Sequence, residues 1–264
     1  MPLAGWAVFW VGAWLAAYSF LPAEGAEIDP LARLPAGEMQ PFFKFGAGKG
    51  QTIAESRPIQ VRAFRLGQTP VTNAQFLVFV RARPEWRRSR AKSLFVDPRY
   101  LSHWRGDLFP PQGEEQAPVN NVSWFAAEAF CEARGLRLPT TDEWEYALDD
   151  AGRGRQIVTQ KSLDWFSSPN PRKLPAVRSG PPNDYGLYDM VGLVWEWTQD
   201  FSSTGAGTEQ RNTSSKDDAQ FCGGGALGVR DATDYPAFMR YALRVSLKAA
   251  YTQNNLGFRC AGDE

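Results

Sequence analysis

Histidine is nearly missing from this chain: His103 is the only one in 264 residues. A single imidazole without clustered carboxylates or thiols is a poor metal site, so chemistry built on several histidine ligands is excluded. Cysteine is sparse, and Cys131, Cys222 and Cys260 leave one odd thiol whatever pairs. Three buried, reduced thiols are the alternative reading of that count. Net charge is absent too. Lys plus Arg and Asp plus Glu stand at 29 each, so no global field argues for nucleic acid or an anionic membrane surface. Beyond Pro30 no apolar run is long enough for a second membrane span.

The first residues are different. Gly5 to Leu21 is apolar or small and is followed by Pro22-Ala-Glu-Gly-Ala26, the form of a secretory signal and its cleavage zone. No Lys or Arg precedes the run, and an uncleaved N-terminal anchor fits it as well. The expected organisation is residues 1–26 as signal or anchor, 27–40 as a proline-bearing linker, and 41–264 as one domain. Export to the periplasm or cell envelope follows, with membrane contact only through that first segment. A hydrophobic content of 43% suffices for a sizeable core.

Within the domain, Phe42–Phe45 and Ile59–Phe64 alternate as short strands. Thr72 with Gln75 forms a capping box for a helix carrying Phe76, Phe79 and Val80 on one face, stopped near Pro84. Ser123 caps a second helix that turns inward Ala127, Phe130 and Cys131 and ends at Gly135. Thr140 with Glu143 opens a third, with Trp144, Ala147 and Leu148 toward the core. Its acids, Glu143, Glu145, Asp149 and the adjoining Asp150, read as complements to the helix dipole rather than as a catalytic cluster. Strand-like pieces are expected at Ile157–Thr159, Ala176–Arg178, Gly223–Gly225, Arg240–Val245 and Gly257–Cys260, and a surface loop at Ser202–Asp218. Residues 81–105 interleave eight basic side chains with Trp86, Phe95, Tyr100 and Trp104. That mixture superficially suits nucleic acid but reads as a solvated insertion, so no nucleic-acid partner is expected.

The segment Gly186–Asp200 stands apart because it sets Trp195 and Trp197 around Glu196 in a stretch punctuated by Gly186 and Gly192. A ribbon of period two would bury the indoles on one side and aim the carboxylate elsewhere, in a core or in a site. This segment resembles the GLYDMxGNVWEW signature of the sulfatase-modifying-factor family. Thr69–Phe76, Pro118–Trp124 with Arg137–Tyr146, and Asn255–Cys260 match further motifs of that family in the same order. Four ordered motifs make chance similarity improbable.

The resemblance implies an α+β fold of C-type lectin-like architecture, with few helices and small twisted sheets. It implies a Cys131–Cys260 disulfide, which needs an oxidising compartment. Formylglycine-generating enzymes of the family oxidise a substrate cysteine with two cysteines that bind copper(I), a metal that requires soft thiolates. Registered against the family, those positions fall at Gly228 and Thr233, and Gly225 replaces the serine of the glycine-rich strand, so copper chemistry of that kind is not expected. Trp197 and Asn255 match residues lining the family's substrate groove, with Arg230, Asp231, Asp234, Tyr235, Arg240, Arg244 and Tyr251 as further candidates. Glu196 matches a calcium ligand, although Leu193 stands where the signature has asparagine, which leaves calcium with fewer side-chain oxygens. Cys222 would be the free thiol, reactive or simply buried. The function implied is an envelope accessory or maturation factor binding a protein or peptide client. The competing function is an oxidoreductase or modifying enzyme using Glu196, Tyr235 or Asp234 without cysteine.

Overall fold

A computed structural model describes residues 30–40, 58–149, 155–201 and 235–264. The expected strands at Phe42–Phe45 and Gly223–Gly225, the loop at Ser202–Asp218, the N-terminal segment and Cys222 lie outside the described residues.

Three small sheets frame the chain. In the first, β4 (Phe64–Gly67) runs antiparallel to both β1 (Leu31–Leu34) and β7 (Ala261–Asp263), with Leu34 facing Phe64 and Leu66 facing Ala261. In the second, β2 (Gly37–Met39) pairs antiparallel with β3 (Ile59–Val61). The expected linker 27–40 is therefore corrected: Leu31–Leu34 and Gly37–Met39 are strands of the domain. Ala32 and Leu34 face inward while Arg33 is exposed, a two-residue alternation too short to stand out between Pro30 and Pro35.

Helix α1 (Asn73–Ala82) starts as expected, with Gln75 N–H donating to Thr72 Oγ1 and Thr72 N–H donating to Gln75 Oε1. Helix α2 (Trp124–Glu132) is capped by Ser123, and Gly135 follows at φ +67°, the left-handed conformation glycine adopts freely. Helix α3 (Thr141–Asp149) carries the reciprocal Thr140–Glu143 box.

Two strands expected from the sequence are helices. Ile157–Thr159 lies in α4 (Arg155–Phe166), where β-branched residues outweighed helical spacing in the sequence reading. Arg240–Val245 lies in α5 (Tyr235–Ser246), whose buried stripe is Pro236, Ala237, Arg240 and Arg244. That stripe has helical spacing, but half of it is arginine, so hydrophobicity alone conceals it. Ala176–Arg178 is loop, tied by a bond from Val177 N–H to Gln116 O. Of Gly257–Cys260, only Gly257 belongs to a strand, β6 (Leu256–Gly257), which runs parallel to β5 (Trp195–Glu196).

The main core is aromatic. Phe76 stacks on Phe130 at 5.7 Å and meets Trp104 and Phe258 edge-on, filling the space that longer elements would otherwise supply. The backbone passes closely at Gly257, where a Cβ would lie 2.8 Å from Val119 O. Cys131 and Cys260 are bridged across 129 residues, as the resemblance implied. In the chain-entropy view a loop of that length is worth about 5 kcal/mol.

Candidate functional site

Glu196 sits at the centre of the motif segment, and its carboxylate is fully enclosed. Arg259 donates from Nε to Oε2 at 2.8 Å and from Nη2 to Oε1 at 2.9 Å, and Trp144 Nε1 donates to Oε2 at 2.8 Å. The same guanidinium donates to the carbonyls of Gly67, Gln68 and Tyr188. One ion pair thus joins four stretches of chain. Glu196 as a calcium ligand is corrected on this geometry. Its oxygens already receive three N–H donors, and a cation would have to displace a buried guanidinium. Among the described residues no group of three or more His, Cys, Asp or Glu side chains is placed to hold a metal.

The tryptophans around it part company. Trp197 is wholly buried, donates from Nε1 to Val122 O at 3.0 Å and meets Phe201 edge-on at 5.1 Å. It is core, which corrects its expected place in a groove. Asn255 is half-buried and its carbonyl accepts the Trp195 N–H at 2.7 Å, so it serves the β5–β6 pairing. Trp195 is the indole left partly open. The expected alternation fails because Glu196, on the other side of the ribbon, is covered as well, by Arg259 and Trp144.

A second buried hub lies beside the first. Glu145 accepts Arg240 Nε and Nη2, each at 3.0 Å, and Arg244 Nη1 at 2.6 Å. Burial raises the Glu145 carboxyl, but the two guanidiniums outweigh it and hold the pKa down at about 2. Arg240 is therefore a frame residue rather than an exposed groove residue. Arg244, 6% exposed, stands over the Trp144 ring at 5.0 Å, and among the described residues its Nη1 alone donates a hydrogen bond. A third cluster, Glu143–Arg137–Asp263, clamps α3 to β7, with two 2.7 Å bonds from Arg137 to Glu143. Hydrogen bonds that Arg137 donates to the Glu143 and Asp263 carboxylates raise its pKa despite its burial.

These hubs floor a cleft between α4, α5 and β5. Its wall is aromatic: Trp165 lies 4.7 Å from Trp195, and Phe166 stacks on Trp195 at 5.4 Å. Tyr235 meets Phe166 edge-on at 6.4 Å and is 40% exposed. The enclosed space is about 10 Å³, the room of roughly one water. Of the expected groove residues, the structure brings Arg240 and Arg244 to this cleft and Tyr235 to its edge. Tyr251 is exposed, with Lys248 Nζ above its ring at 5.5 Å. Arg230, Asp231, Asp234, Gly228 and Thr233 lie outside the described residues. Trp165 and Phe166 carry no site signal in the sequence, because the β-branched Ile157–Thr159 suggests a strand where the structure has α4.

What fold and geometry define is an irregular α+β domain whose motif acids and arginines build the frame. The model of the sulfatase-modifying factor enzyme 1-like domain matches residues 22–264, and the chain belongs to that family. Its α+β, C-type lectin-like fold class accords with that membership. Similar proteins include the formylglycine-generating enzyme of Streptomyces coelicolor, 31% identical over 92% of this chain and 95% of the relative. They also include the inactive C-alpha-formylglycine-generating enzyme 2 of Bos taurus, 29% identical over 88% and 87% respectively. Among solved structures, PvdO from Pseudomonas aeruginosa aligns at 17% identity with a TM-score of 0.49, covering 89% of this chain and 94% of that one.

Proposed function

We propose that this chain is an exported accessory or maturation factor of the cell envelope that binds a protein or peptide client and does not generate formylglycine. The observation carrying this reading is chemical. Gly228 and Thr233 supply no thiolate for copper(I). Glu196 and Glu145, the motif carboxylates nearest the cleft, are saturated by guanidinium donors and offer no base. A family scaffold that keeps its frame without these groups suits binding, as does the likeness to a relative named inactive. The half-open aromatics Trp165, Phe166 and Trp195, with Tyr235 at the edge, are the residue types that anchor interfaces.

The test uses purified full chain with copper(I), oxygen and a cysteine-containing sulfatase peptide, read by mass spectrometry for loss of the thiol and gain of an aldehyde. No aldehyde is expected, and turnover overturns the proposal. In parallel, a client that co-purifies from the envelope fraction should be lost from Trp195→Ala and retained by a variant at the exposed Ile157, near the other end of α4 from Trp165 and Phe166.

A further inference from the structure

Residues 81–109 carry eight basic side chains against Glu85, Asp97 and Asp107, a net of +5 in a chain whose total is zero. The structure gathers that charge. Arg88 donates to Trp104 O at 2.8 Å, and Asp107 accepts from Ser89 N–H at 2.8 Å and Ser89 Oγ at 2.7 Å, so residues 87–90 lie against 104–109. Arg105 N–H donates to Phe109 O at 2.9 Å and closes the second stretch on itself. Arg90, Lys92 and Arg105 are exposed, and none has a carboxylate within ion-pair distance among the described residues.

The two most exposed large hydrophobic side chains of the described residues fall in the same region: Leu94 at 73% and Phe109 at 64%. Leu94 projects from a turn closed by Phe95 N–H and Val96 N–H on Lys92 O, and Phe95 anchors that turn against Trp86 at 6.1 Å. Each tied stretch therefore presents a fixed apolar tip among cations that form no ion pair with a described residue.

We propose that this face docks peripherally on an anionic phospholipid surface, independently of the N-terminal segment. Cations meet the headgroups while Leu94 and Phe109 enter the boundary beneath them. A nucleic acid would use the same cations and could stack on Phe109, but it has no use for an exposed leucine held in a turn.

The experiment is co-sedimentation of the full chain with phosphatidylcholine vesicles, with and without phosphatidylglycerol, across rising salt. Neutral vesicles report whatever the N-terminal segment contributes by itself. Preference for the anionic vesicles is expected, fading as salt screens it. Arg90→Gln/Lys92→Gln/Arg105→Gln should weaken anionic binding by roughly fivefold per charge removed. Leu94→Ser/Phe109→Ser should weaken it by about tenfold at fixed salt. All five positions are exposed, and unchanged melting confirms that the variants fold. Equal partition onto both vesicle types overturns the proposal, as does an unaffected charge variant. Tighter binding to a DNA duplex than to vesicles, insensitive to Leu94→Ser/Phe109→Ser, would assign the face to a polyanion instead.

Discussion

Two carboxylate and guanidinium hubs lie side by side here and are built for different ends. At Glu196–Arg259 every donor is spent: the guanidinium reaches the carboxylate and three main-chain carbonyls, and neither side chain is exposed. At Glu145–Arg240–Arg244 one carboxylate serves two cations, and both arginines line an aromatic cleft. Identical residue types thus make a pair whose guanidinium is fully spent in one place and, in the other, a carboxylate shared by two arginines that both line the cleft. Motif membership alone does not separate the two.

The sharpest way to break this contrast is Glu196→Gln, which leaves Arg259 buried without its counter-charge. A loss of about 3–5 kcal/mol is expected, read as a fall in the denaturant midpoint. Glu145→Gln should cost less, about 2–3 kcal/mol, because each of two arginines keeps another contact or a path to solvent.

Acid sharpens the comparison further. Because the folded Glu145 pKa is depressed from 4.5 to about 2, its stabilisation is present above pH 4.5 and drains away as pH falls toward 2. Glu145→Gln should flatten the stability profile in that window, and an unchanged profile would remove Glu145 from the acid response. His103 acts in the adjoining range. Burial first, then Arg88, lower its pKa from 6.5 to about 4, so stability falls from pH 6.5 downward as the unfolded chain takes up the proton. His103→Gln should remove that component, on the order of 2 kcal/mol at pH 4. The smallest stability effect belongs to Trp195→Ala, about 1–2 kcal/mol for a half-buried indole, with loss of client retention far exceeding it.

How far the sequence disclosed this molecule follows from the range of each signal. Caps at Thr72, Ser123 and Thr140 are local hydrogen bonds over three residues, so their chemistry is legible without tertiary knowledge. The stripe of α5 is not, because Arg240 and Arg244 count as polar until Glu145, 95 and 99 residues away, is brought beneath them. Strand β1 is similarly silent. Leu34 alternates over too few residues to announce a strand, and its partner Phe64 is thirty positions on. At the site, resemblance located the correct segment but exchanged the two indoles, since which side of β5 stays open is decided by α4 and by Arg259.

Residues 256–263 provide the partner for β5, the partner for β4, the guanidinium for Glu196 and the sulfur for Cys131. Every one of those partners precedes this segment in the chain. A ribosome therefore delivers the acceptors first and the fastener afterwards, so none of the four closures can form during synthesis of the preceding 255 residues. Until then the nascent domain holds an unmatched carboxylate at Glu196, an open strand edge at β4 and a free thiol at Cys131, all exposed to wrong partners before the chain is complete.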